Sequence, residues 1–251
     1  MPDEMRERGR YFLRDSVRLA TDFSRTDQSR GLPAPPLEKP CPPGASRLPL
    51  PASGEWQGIG KVDITKAIAE RQSHRRYQPE PLSLDELSYL LWATQGVRGR
   101  PNPASALRTV PSAGCRHAFE TYVCALNVQG LAVAIYRYLP LEHELVLERE
   151  VENLAHRLSV AALRQSFVGR AAATFVWSCL PYRMEWRYGG AAHKVIAIDA
   201  GHVCQNLYLA CAAVGAGTCA VAAYHQQEMD ELLGLDGEDE FVIYLAPVGK
   251  V

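Results

Sequence analysis

The stretch from Asp199 to Tyr224, DAGHVCQNLYLACAAVGAGTCAVAAY, constrains this chain most, because an amphipathic helix runs directly into a turn that favours glycine. Val203, Leu207, Ala210, Cys211 and Val214 recur at helical spacing and mark one face for the core. Ala200, Gly201, Ala212 and Ala213 keep other sides low, so the helix fits between two elements or two subunits. Gly215 and Gly217 end it, glycine being the residue that takes the left-handed conformation at a helix C-terminus. The following run, TCAVAAY, has almost no side-chain bulk. It reads either as a packed core strand or as a backbone against which a flat ligand can lie. Gly215, Gly217 and Ala220 also spell GxGxxA, with Asp236 and Asp239 downstream. A dinucleotide fingerprint must follow a strand and open a helix, and here the order is reversed.

Length and charge narrow the classes. At 251 residues and 47% hydrophobic, the chain can bury one large core. A net charge of -1 argues against nucleic acid or an anionic membrane as the main partner. No apolar run is expected to span a membrane, and the N-terminus, MPDEMRERGRYFLRD, is charged where a signal peptide needs an apolar segment. A cytoplasmic protein is expected. The seven cysteines are odd in number and form no CxxC pair, which suits buried free thiols. No Cys/His spacing matches a closed zinc site, so no metal is expected. Cys115 and His117 lack a third residue to orient them as a nucleophile and base.

Residues 1–55 form a proline-rich arm holding nine of the seventeen prolines, eight of them between Pro33 and Pro51, and residues 56–251 form the body. The arm is expected to be extended, over the body or over a partner subunit. A helix capped by Asp63 follows, with Ile64, Ala67 and Ile68 turned inward. It runs into RQSHRRY, where Arg71, Ser73 and Arg75 alternate before Pro79 and Pro81 halt the chain. Two guanidinium groups and a hydroxyl there suit either a phosphate or an ordinary solvated turn. Ser83 and Glu86 make a capping box for a second helix with Leu84, Leu87, Leu90 and Leu91 as its stripe. Residues 96–110 read as an irregular loop that delivers the chain to Pro111, Ser112, Ala113 and Gly114, a candidate binding loop. ETYVCALN, LAVAIYRYLP and HELVLERE read as a three-stranded meander, residues 151–165 as a helix and AAATFVWSC as a buried strand. LPYRMEWRYGGAAHK reads as a lid or exposed loop, QQEMDELLG as a short helix, and FVIYLAPVGK as the last strand.

As an ordered set from Asp63 to the C-terminus, RQSHRRY, LSYLLWATQG, LRTVPSAGCRHAFETY, YRYLPLEHEL and the Asp199–Tyr224 stretch resemble the nitroreductase superfamily, and within it the SagB-type or thiazoline-oxidase-like branch. The resemblance implies an α+β fold with a central, mainly antiparallel sheet flanked by helices, an obligate homodimer with sites at the subunit interface, and FMN as cofactor. It puts the FMN phosphate on Arg71 and Ser73 and the flavin ring near Arg75. It places Cys219, Ala220, Val221, Ala222 and Ala223 along the ring and brings Pro111–Gly114 from the opposite subunit. Lys250 is implied as a second phosphate cation, opposed by the terminal carboxylate one residue away. The Lys-Tyr pair of thiazoline oxidases corresponds here to Arg187-Tyr188, and arginine is always protonated and cannot act as a base.

The expected function is therefore FMN-dependent oxidoreduction, with hydride from NADH or NADPH passed to a second substrate at the same site, Tyr188 and Arg187 acting on that substrate. Two alternatives stand beside it: dehydrogenation of azoline rings in a modified peptide, and a non-catalytic FMN-binding scaffold subunit.

Overall fold

The computed structural model describes residues 2–251. These form nine strands: β1 (Arg47–Pro49), β2 (Val97–Asn102), β3 (Ser105–Arg108), β4 (Phe119–Ala125), β5 (Ala134–Leu139), β6 (Glu144–Arg149), β7 (Ala173–Cys179), β8 (Ala216–Thr218) and β9 (Phe241–Lys250). Seven make one sheet in the order β1-β6-β5-β4-β7-β9-β8, with every neighbouring pair antiparallel. β2 and β3 form a separate hairpin. The helices are α1 (Pro2–Leu13), α2 (Ser16–Ala20), α3 (Ile64–Glu70), α4 (Leu84–Gln95), α5 (Leu154–Ala161), α6 (Tyr182–Tyr188), α7 (Ala192–Ala213) and α8 (Gln226–Leu233).

The fold is α+β, with helices on both faces of the sheet. That is why β7 reads as a mostly apolar run and not as an alternating one: every residue of β7, and of its neighbour β4, is buried. On one face Phe119, Val123, Phe175 and Trp177 pack with Leu87, Leu90 and Leu91 of α4 and Val203, Leu207 and Ala210 of α7. On the other, Tyr122, Cys124 and Val176 pack with Leu154 and Leu158 of α5 and Met229, Leu232 and Leu233 of α8. The Ser83–Glu86 capping box is formed and fixes the start of α4. Gly215 leaves α7 with φ +59°, and Gly234 ends α8 with φ +77°. A tight turn, not a dinucleotide site, uses Asp236: its carboxylate accepts the N–H groups of Glu238, Asp239 and Glu240.

Several sequence expectations need correction. Ile64 and Ile68 face outward, each 59% exposed, and only Ala67 of α3 is buried. Residues 96–110 are largely the β2–β3 hairpin, with two register irregularities around Gly99 where its arginines and prolines break the pattern. LPYRMEWRYGGAAHK is no loop. It forms α6 and opens α7, because Arg183 is buried against Glu120 and Arg116 lies over Trp186, partners that local sequence does not reveal. The helical run Tyr182–Ala213 is long and apolar enough to cross a membrane by length and composition, contrary to the expectation of no such run; α7 lends Ile196, Val203, Leu207 and Ala210 to the core.

The N-terminal fifth is more structured than its prolines suggest. α1 and α2 precede the proline-rich part, and β1 lies at the sheet edge, where Pro49 costs no central ladder bond. The Lys39 N–H donates to Glu120 at 2.6 Å, Lys39 Nζ meets Glu240 at 2.6 Å, and Arg137 donates to the Lys39 carbonyl at 2.8 Å. The indole of Trp56 donates to Ser88. The segment thus lies along the body of its own chain.

Candidate functional site

α3 stops at Arg71, whose backbone leaves the helical region, and the chain then crosses alongside β8. Ser73 bridges Thr218, and the His74 N–H donates to the Thr218 carbonyl at 2.9 Å. Gly217 is required here, since a Cβ would stand 2.5 Å from the His74 ring. Tyr208 of α7 joins the pieces. Its hydroxyl accepts the Ala220 N–H at 2.8 Å and is 2.9 Å from Ser73 Oγ, while the Arg71 guanidinium lies 5.2 Å from its ring centroid. A cavity of about 330 Å³ opens beside Arg71, His74, Tyr208, Gly217 and Thr218. Into this neighbourhood falls Thr218 Oγ1, a buried hydroxyl with no hydrogen-bond partner.

The other expected cradle residues are placed around this cluster. Cys219 and Val221 are buried, Ala220 is half-buried, and Ala222 and Ala223 are exposed. Val221 exchanges two backbone hydrogen bonds with Leu245, which holds the bulk-free run against β9. Arg75 departs from Arg71: its guanidinium lies 5.9 Å from the Phe167 ring. Lys250 is engaged elsewhere, its ammonium held by the Glu86 carboxylate and the Val214 carbonyl. As placed, its charge is neutralised by Glu86.

A second group lies around Asp199, in the N-terminal half of α7. The Ala113 N–H donates to Asp199 Oδ2 at 3.2 Å, and the His117 N–H donates to Ser112 Oγ at 2.9 Å. Burial raises the Asp199 carboxyl above its ordinary value, against the lowering effect of Ser112, the Ala113 N–H and His202. Gly114 has φ +58°, and a Cβ there would stand 2.7 Å from Arg187 Nε and 2.8 Å from the Tyr188 hydroxyl. The Pro111–Gly114 loop therefore rests directly on the Arg187-Tyr188 pair. His117 is no base: burial, with Arg108 nearby, pushes its pKa down to about 3, and its ring nitrogen sits 3.0 Å from the Ala106 carbonyl.

The two groups are not brought together within one chain. Asp199 and Tyr208 anchor them on α7, nine residues apart; at 100° and 1.5 Å per residue they project from opposite sides, about 13 Å apart along the axis. Asp199, Tyr208 and Arg116 belong to no motif that the sequence presents as a site. The sequence signal for Asp199 and Tyr208 is a polar residue inside an otherwise apolar helix.

The nitroreductase family profile matches residues 68–250. The chain belongs to the nitroreductase family. A Methanocaldococcus jannaschii protein bearing the nitroreductase name is 33% identical over 192 residues, which covers 76% of this chain and 93% of that protein. Among solved structures, a Ralstonia eutropha protein also named as a nitroreductase superposes with a TM-score of 0.67 at 28% identity, covering 88% of this chain and 99% of that one. The fold is shared further with a chain of the Escherichia coli microcin synthetase McbBCD complex (TM-score 0.61, 19% identity, 77% and 76% covered). It is also shared with the NADPH:FMN oxidoreductase of Vibrio harveyi (TM-score 0.53, 16% identity, 74% and 67% covered). In this chain, α1, α2 and the proline-rich segment all precede the matched region.

The contact at Gly114 gives a direct test of local geometry. Gly114→Ala combines a left-handed backbone with a clash against Arg187 and Tyr188, and is expected to cost about 1–3 kcal/mol of unfolding free energy. Urea denaturation reads this, and an unchanged midpoint would show that the loop and α6 are not in register as described.

Proposed function

We propose that this nitroreductase-family protein is an FMN-dependent oxidoreductase that accepts hydride from NADH or NADPH and passes it to a second substrate at the same site in alternation. The observation that carries the reading is the Arg71–Ser73–Tyr208 cluster beside the 330 Å³ cavity, with the Thr218 hydroxyl buried and unpartnered at its edge. A cation, two hydroxyls and an unsatisfied donor suit a phosphate monoester. The run Cys219–Ala223 carries little side-chain bulk and is exposed at Ala222 and Ala223, which suits a flat ring alongside it. FMN fits this donor set, and when bound it supplies reversible acceptance and donation of a hydride.

Arg71 and Ser73 would hold the phosphate, and the backbone from Cys219 to Ala223 would flank the ring. Arg75 would have to turn from Phe167 to reach it. Lys250 would have to leave Glu86 to serve as a second phosphate cation. Pro111–Gly114 would come from a second copy of the chain, in keeping with the opposite projection of Asp199 and Tyr208 from α7. Tyr188 would hold or give a proton at the second substrate, and Arg187 would contribute charge alone. A second reading, dehydrogenation of azoline rings in a SagB-like manner, rests on Tyr188, and a precursor-peptide gene beside this one would favour it.

The purified protein is expected to be yellow, to release FMN and not FAD on heating, and to bleach with NADH or NADPH. It should sediment as a dimer when flavin-loaded. Arg71→Ala is expected to weaken FMN binding by about 1.5–3 kcal/mol, the range for a hydrogen bond to a charged group. A colourless protein indifferent to added FMN would overturn the reading, as would a flavin-loaded monomer for the two-copy site.

A further inference from the structure

Two guanidinium groups beside the Pro111–Gly114 loop have only neutral acceptors among the described residues. Arg187 donates from Nη1 to the side-chain carbonyl of Gln28 at 3.2 Å, and its Nε packs where a Gly114 Cβ would stand. Arg116 is 3% exposed. It donates from Nε to the Arg183 carbonyl at 3.1 Å and from Nη1 to the Ala104 carbonyl at 3.2 Å, with its guanidinium 4.8 Å from the Trp186 ring centroid. Its Nη2 is buried and has no acceptor.

The acids on the surrounding elements are committed elsewhere. Glu120 serves Arg183 and Arg137, Asp199 accepts from the Ala113 N–H, and Glu185 faces His193 at 2.8 Å. Burial, then the like charges of Arg187 and Arg183, makes the Arg116 cation less favourable, so these groups repel at close range. A buried cation without a counter-charge is expensive to keep. Gln28 aims Arg187 without neutralising it, which a carboxylate in its place would do. The N-terminal segment reinforces the aim: the Gln28 N–H donates to the Trp186 carbonyl at 2.9 Å, and Tyr182 donates to Asp27 at 2.8 Å.

We propose that Arg187, with the buried Arg116 as a second positive charge close by, forms an anion subsite next to the Tyr188 hydroxyl, which docks a carboxylate or phosphate carried by one of the reaction's small-molecule substrates. The assignment rests on the reading that Tyr188 faces the second substrate, and it adds the substrate's charge class to that reading. The anion has two possible sources, an acidic group on the acceptor and the 2′-phosphate that distinguishes NADPH from NADH. Planar guanidinium groups bind both in forked geometry.

The test compares an anionic and a neutral aromatic probe on the purified protein. Calorimetric titration should show benzoate binding at least about tenfold more tightly than benzyl alcohol, as expected for a charge-assisted contact. Arg187→Gln should abolish that preference with flavin content unchanged, and Arg187→Lys should keep part of it. If the source is the nucleotide, NADPH will have a lower KM than NADH and Arg187→Gln will equalise them. If it is the acceptor, the benzoate preference alone will collapse. Equal binding of benzoate and benzyl alcohol together with equal KM for the two nicotinamides would overturn the subsite. So would a preference that survives in both Arg187→Gln and Arg116→Gln. A protein that never holds flavin would defeat the oxidoreductase reading, while the benzoate titration would still decide the subsite.

Discussion

Glu120→Gln is expected to lower the unfolding free energy by about 3–5 kcal/mol, the cost of leaving a buried cation without its counter-charge. Glu120 stands on β4 and is buried, and its carboxylate receives Arg183 from α6, Arg137 at 3.5 Å from β5, and the Lys39 N–H at 2.6 Å from the N-terminal segment. Arg137 would keep Glu148 at 2.6 Å, but Arg183 has no second acid among the described residues. The sign of the pH dependence follows. Burial alone would raise the Glu120 carboxyl, but Arg183 and Arg137 outweigh it and hold it below the ordinary glutamate value of 4.5. Its stabilisation is therefore complete above about pH 4.5 and is lost as the pH falls through the lower, folded-state value. Urea unfolding of wild type and Glu120→Gln across pH 3 to 7 should show a large gap at neutral pH that narrows in acid. A loss under about 1 kcal/mol at pH 7 would mean that water reaches the cluster and screens it.

The same carboxylate explains what could and could not be read from sequence. β4, β7 and β9, the box at Ser83 and Glu86, and the end of α7 at Gly215 are written in local patterns, and the structure has them. α6 is not. Tyr182, Arg183, Trp186, Arg187 and Tyr188 read as a lid or exposed loop until Glu120, 63 positions away, and Leu32, 154 positions away, are known to receive Arg183 and the Trp186 indole. The site divides in the same way. Arg71, Ser73 and Gly114 stand in a recognisable order, whereas Tyr208 acts on Ser73 across 135 positions and Asp199 acts on Ala113 across 86. Lys250 shows the same distance in its partner. A cation near the C-terminus suggests a phosphate ligand, but the partner that claims it, Glu86, is 164 positions upstream.

Tyr188→Phe is expected to slow transfer to any second substrate that needs a proton by at least tenfold, within the roughly 10² to 10⁴ that a positioned acid or base contributes. The geometry makes the substitution a clean one. The Tyr188 hydroxyl rests against Gly114 and has no hydrogen-bond partner among the described residues, so phenylalanine removes no internal bond and keeps the ring beside Arg187, 5.6 Å from its guanidinium. Unfolding stability should then stay within about 0.5 kcal/mol of wild type, as for a surface change that breaks no named interaction. Arg187 cannot take over the proton, because a guanidinium stays charged at working pH. The half-reaction with NADH or NADPH moves a hydride and requires no proton from Tyr188, so its rate should remain near that of wild type. Stopped-flow traces separate the two halves. If both are unchanged, Tyr188 only packs on Gly114 and the proton comes from solvent. If both slow together, the hydroxyl orients a bound partner shared by the two halves, and its place is in binding and not in proton transfer.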